Sequence, residues 1–170
     1  FRALSGHSMG GYGAFRLGMR NSDIFSSFAA HSGPIHLENL NNPFLINFIL
    51  IENIFVDGYS PYSGPNSMMM FGLSSAFSPN LDNPPWYVDL PLYDDGNVNW
   101  DVFEVWQAHD TYLFINQNIN TLQTQNIYFD CGSNDELQLY SHSVDMDTKL
   151  DDLGILHMWE TYNGTHSNLI

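Results

Sequence analysis

Gly6-His7-Ser8-Met9-Gly10 lies between an apolar stretch and an amphipathic one, and this placement constrains the chain more than any other feature. Phe1-Arg2-Ala3-Leu4 reads as the last residues of a buried strand, broken at Ser5-Gly6-His7-Ser8-Met9-Gly10-Gly11. Met9, Tyr12, Phe15 and Met19 then recur every three or four residues, with Arg16 and Arg20 near the end, where cations suit the helix dipole. The spacing predicts a helix from about Met9 to Arg20. A serine on so sharp a strand-to-helix turn projects its hydroxyl, and glycines must flank it because side chains there would collide with neighbouring backbone. By composition alone, a G-x-S-x-G pattern is expected about 0.06 times in a chain of this size. Its occurrence between strand and helix marks Ser8 as a candidate nucleophile.

The rest of the chain repeats this alternation. Ser27 to Ala30 reads as a second strand, stopped by His31-Ser32-Gly33-Pro34. Asn126 to Cys131 reads as a third, running into the polar turn Gly132-Ser133-Asn134-Asp135-Glu136. A helix from Leu139 to Leu153, with Val144, Met146, Leu150 and Leu153 as its apolar positions and Gly154 as C-cap, leads to a strand from Ile155 to Tyr162. Three strand-helix alternations predict an α/β fold, a mostly parallel sheet flanked by helices. Between the second and third strands lies a long excursion, about residues 35–125, with expected helices near Pro43 to Val56 and Asn66 to Phe77 and helical turns from Trp100 to Ile119. An insertion of that size reads as a lid within a single domain.

Composition narrows the partners. The 170 residues, 44% of them apolar and 15% aromatic, suffice for one domain with a real core. Four Lys and Arg against 19 Asp and Glu leave a net charge of −15, which repels phosphate backbones and anionic lipid headgroups and argues against nucleic-acid and membrane partners. The most apolar stretch, Pro43 to Phe55, is interrupted by Asn47, Glu52 and Asn53 and is too short to span a bilayer, so the domain reads as soluble. The compartment stays open. A single cysteine, Cys131, rules out an internal disulfide and reads as a buried strand residue. The histidines have no metal-ligand spacing, and neither a metal nor another cofactor is expected.

A serine hydroxyl needs a base to take its proton and a carboxylate to orient that base. Asp135, in the loop after the third strand, and His166, in the loop after the fourth, lie at the carboxyl ends of parallel strands, where sites of open α/β sheets gather. The expected triad is Ser8, His166 and Asp135, with Glu136 and Asp130 standing as alternatives for the carboxylate. The backbone N–H of Met9, at a helix N-terminus, is the expected oxyanion donor. His7, inside the turn, is expected to line the site as a substrate-pocket residue. The insertion's aromatic residues, Trp86 and Trp106 among them, are candidates for a substrate pocket, although such residues more often form core.

Ser5 to Ala14 resembles the nucleophile elbow of an esterase family of α/β-hydrolases that includes S-formylglutathione hydrolase (esterase D), feruloyl, acetylxylan and enterochelin esterases, and mycolyltransferases. Asp130-Cys131-Gly132-Ser133-Asn134-Asp135 resembles its D-x-G-x-x-D signature, whose last acid is the triad carboxylate, and Gly164-Thr165-His166-Ser167 its final G-x-H-S loop. The resemblance implies the C-terminal part of an α/β-hydrolase fold and a serine carboxylesterase acting on a small-molecule ester, with short-chain acyl or aryl esters expected. It also implies an N-terminal half, lying before Phe1, that supplies the remaining strands and the second oxyanion donor. A thioesterase of the S-formylglutathione type, an acyltransferase and a non-catalytic binding module stand as alternatives. Self-association is left open.

Overall fold

The computed structural model describes residues 1–168. Four strands, β1 (Ala3–His7), β2 (Ser27–His31), β3 (Asn126–Gly132) and β4 (Met158–Tyr162), form a sheet in the order β1-β2-β3-β4, every neighbouring pair parallel. Helix α1 (Met9–Arg20) connects β1 to β2. Between β2 and β3 come α2 (Pro43–Glu52), α3 (Pro65–Phe77), α4 (Trp100–Gln107) and the short turns α5 (Thr111–Phe114) and α6 (Ile119–Leu122). Helix α7 (Tyr140–Asp152) connects β3 to β4. The architecture is the α/β one expected from the alternation.

Several boundaries move, each for a local reason. The first strand does not break at Ser5: Ser5, Gly6 and His7 continue in register with Ala29, Ala30 and His31, so the turn is confined to Ser8. Helix α2 stops at Glu52, where the Asn53 side-chain N–H groups donate back to the Ile49 carbonyl and across to Ser67 Oγ. The last strand starts only at Met158, because Ile155 donates to the Leu150 carbonyl and closes the end of α7 behind Gly154 at φ +64°. On α7 the buried face carries His142, Ser143, Met146 and Leu150, while Val144 is partly exposed.

The chain forms two compact units: Phe1–Asn39 with the chain from Asp110 onward, and Leu40–His109. In the first, strand alternation sends Phe28, Ala30, Ile127 and Phe129 to one face, where they meet Phe15 and Met19 of α1 and Met146 and Leu150 of α7. Phe15 packs edge-on against both Phe28 and Phe129. Burying each such side chain contributes about 1.5–3 kcal/mol. Ile35, Ile115 and Leu122 belong to this same core, so the separate unit is narrower than the 35–125 stretch read from the sequence.

The other sheet face carries a polar row. His31, Asp130 and Glu160 are in register on β2, β3 and β4. Asp130 takes hydrogen bonds from His31 Nδ1 and the Tyr128 hydroxyl, and Glu160 also bonds to that hydroxyl.

The Leu40–His109 unit has its own core, with Leu45, Ile49, Met70, Leu73, Phe103 and Trp106 lining an apolar cavity. Among the described residues no helix is long and apolar enough to cross a membrane.

Candidate active site

Ser8 is the one residue between β1 and α1, and its backbone sits at φ 57° and ψ −122°, a conformation that non-glycine residues rarely hold. Neighbouring bonds over-determine it. The Ser8 N–H donates to the His31 carbonyl at 2.8 Å, extending the β1–β2 ladder, while the Ser8 carbonyl accepts from Gly11 and Tyr12 and starts the helix. The turn is tight enough that a Cβ on Gly6 would stand 2.1 Å from the Gly10 carbonyl oxygen, so only glycine fits there. Met9 is the first residue of α1, where its N–H has no intrahelical acceptor.

The loops after β3 and β4 are joined backbone to backbone. Ser133 donates to the Tyr162 carbonyl and Asn134 to the Gly164 carbonyl, both at 2.9 Å. A side chain at Gly132 would meet the Gly164 oxygen at 2.4 Å, so glycine permits this approach. The joined loops set Asp135 beside His166. Asp135 is buried, its Oδ2 lies 2.8 Å from His166 Nδ1, and its Oδ1 accepts from the Leu137 N–H at 2.9 Å. His166 Nε2 lies 3.0 Å from Ser8 Oγ. Serine, imidazole and carboxylate thus form one hydrogen-bonded line.

The two alternative carboxylates stand elsewhere. Asp130 pairs with His31, 2.9 Å away, on the sheet face opposite Phe28 and Phe129. Glu136 Oε2 instead accepts the backbone N–H of His166 at 2.9 Å, and that bond holds its carboxyl below the usual carboxylate range. His7 Nε2 donates to the His166 carbonyl at 2.8 Å, with its ring 4.7 Å from the His166 ring. These two contacts span 30 and 159 positions, and no spacing in the sequence points to them.

Cys131 is buried as expected. Burial pushes its thiol up to about 12, with the Asp135 charge adding to the effect, so the thiol stays protonated and is no competing nucleophile. Trp106 is buried within the Leu40–His109 unit, its indole N–H donating to Ser78 Oγ at 2.9 Å. Trp86, in the same unit, is partly exposed and packs edge-on against Tyr62 and Phe71. Among the described residues no cluster of His, Cys, Asp and Glu has the makings of a metal site.

Residues 1–168 match the family described as "Putative esterase". No curated protein matches the chain by sequence. Among solved structures, a ferulic acid esterase is similar at 16% identity with a TM-score of 0.52, matching 98% of this chain and 44% of its own. The S-formylglutathione hydrolase FrmB of Staphylococcus aureus is similar at 17% identity and a TM-score of 0.50, over 97% of this chain and 44% of its own. The fluorophosphonate-binding serine hydrolase FphF of Staphylococcus aureus is similar at 17% identity and a TM-score of 0.54, over 97% of this chain and 47% of its own. At such identities the likeness is one of fold, and the chain spans less than half the length of each of these proteins. With the family match running from the first residue through the loops that carry Asp135 and His166, the chain belongs to the family described as "Putative esterase".

Proposed function

We propose that this chain carries the nucleophile, base and orienting acid of a serine ester hydrolase. The observation that carries the reading is the line Ser8 Oγ, His166 Nε2, His166 Nδ1, Asp135 Oδ2, with steps of 3.0 and 2.8 Å, starting from a serine on a strained turn. Ser8 Oγ attacks the ester carbonyl carbon while its proton passes to His166 Nε2. Asp135 keeps the other imidazole proton on Nδ1 and stabilises the imidazolium that forms. The Met9 N–H, at the positive end of α1, faces the developing oxyanion. His166 then gives its proton to the departing alcohol, leaving an acyl group on Ser8. Water repeats the sequence, releasing the acid and restoring the serine. Similarity to a ferulic acid esterase and to S-formylglutathione hydrolase supports small acyl or aryl esters as the substrate class.

The test is covalent labelling of the purified protein with a fluorophosphonate, read by intact mass and by the labelled peptide. Ser8 is the expected site, with Ser8→Ala and His166→Ala unlabelled and Asp135→Asn slowed by about 10³- to 10⁴-fold. Hydrolysis of p-nitrophenyl acetate by Ser8→Ala at the parent rate would falsify the reading.

A further inference from the structure

We propose that His7 and Glu136 are positioning residues that clamp the peptide of His166 and thereby hold the base in line with Ser8. The proposal rests on the reading of His166 as the base.

His166 lies in an irregular loop beyond β4, where no strand ladder or helix fixes its backbone. Its N–H and carbonyl must find partners, and at a loop tip these would ordinarily be water. Here both are side chains from other elements. Glu136 Oε2, from the loop after β3, takes the N–H at 2.9 Å, and His7 Nε2, from the end of β1, gives its N–H to the carbonyl at 2.8 Å. The first bond is charge-assisted and stronger than a neutral one.

The division of labour is geometric. Asp135 bonds to Nδ1 and so sets the rotation and tautomer of the ring. It does not by itself fix the Cα from which the ring hangs. The clamp does, from two sides, and a displacement of about 1 Å at a reacting group costs on the order of 100-fold in rate. His7 also directly precedes Ser8 in sequence, so one short run places the nucleophile and ties the base to it.

The experiment compares paired variants in the full chain. His7→Phe keeps a ring but has no donor, whereas His7→Gln places an N–H at about the reach of Nε2. Glu136→Ala removes the acceptor, whereas Glu136→Gln keeps an acceptor oxygen without the charge. The expected result is a drop in kcat on p-nitrophenyl acetate of about 10- to 100-fold for His7→Phe and about 10-fold for Glu136→Ala. KM should stay within about twofold, and the Gln variants should recover most of the loss. In the NMR spectrum the low-field Nδ1–H signal of His166 should broaden in the two donor- or acceptor-free variants and sharpen again in the Gln variants, whatever the turnover rate.

Equal losses in the Phe and Gln variants would overturn the clamp. So would a loss confined to KM, which would make His7 a wall of the substrate pocket, or a His166 signal unchanged by either deletion. Glu136 is exposed, so its variants will fold even if His7→Phe does not. Ser8→Ala separates the two levels: if it remains active the triad reading fails, and if it is dead while His7→Phe and Glu136→Ala match the parent, only the clamp fails.

Discussion

Among the histidines, His31, His36, His157 and His166 each lie beside a carboxylate, whereas His142 has a different environment. It is buried on α7, and its Nδ1 accepts the His36 N–H at 3.3 Å. Burial, aided by the nearby His36, pushes its pKa from 6.5 down to about 3. The unfolded chain therefore binds a proton between pH 6.5 and about 3 that the folded chain refuses, and stability falls as pH falls through that window. The expected loss is about 2 kcal/mol between pH 7 and pH 5. Urea melts at the two pH values check it against His142→Asn, whose side-chain oxygen keeps an acceptor near the place of Nδ1 but does not titrate. Equal losses in both proteins would mean that His142 is not the group responsible.

At the scale of elements, ends are satisfied by reaching to a neighbour. Helix α3 begins at Pro65 behind Gly64, which has no side chain to cap it. Glu52, the last residue of α2, does so instead: Oε1 accepts from Asn66 N–H and Nδ2, and Oε2 from Ser67 N–H and Oγ, at 2.7–3.0 Å. Burial alone would raise the Glu52 pKa, but the bonds from Ser67 and Asn66 together outweigh it and hold the carboxyl below its usual range. Its contribution is therefore present at neutral pH and is lost only as pH falls through that lowered value. Glu52→Ala should destabilise the Leu40–His109 unit by about 1–2 kcal/mol, and Glu52→Gln by less. Hydrogen exchange at the Asn66 and Ser67 amides is the direct readout, and unchanged protection in Glu52→Ala would count against the cap.

For the whole molecule, charge is the dominant long-range term. The net charge is −15, and Leu40 to His109 contains no Lys or Arg at all. Self-repulsion of this size opposes the compact state. Raising the ionic strength from about 0.01 to about 0.15 M shortens the screening length from about 30 to about 8 Å. The melting temperature should rise by several degrees over that range, followed by calorimetry in sodium chloride. A melting temperature that fell with salt would show that local ion pairs outweigh the repulsion.

What the sequence determined by itself was the alternation of strands and helices, the parallel sheet and the identity of Ser8, Asp135 and His166 as candidates. These are legible because hydrophobic period, glycine spacing and the order of loops after strands are local properties of the chain. Strand ends were less legible: β1 runs on to His7 because Ser5, Gly6 and His7 find partners on β2, and a glycine-rich run does not announce such a ladder. Only the tertiary structure decided which of three nearby acids faces the imidazole, Asp135 at Nδ1, Glu136 on the backbone N–H and Asp130 on His31. It alone also turned His7 toward the His166 carbonyl. The physical reason is range: a hydrogen bond depends on tenths of an ångström between groups up to 159 positions apart, and such distances exist only once the strands have paired.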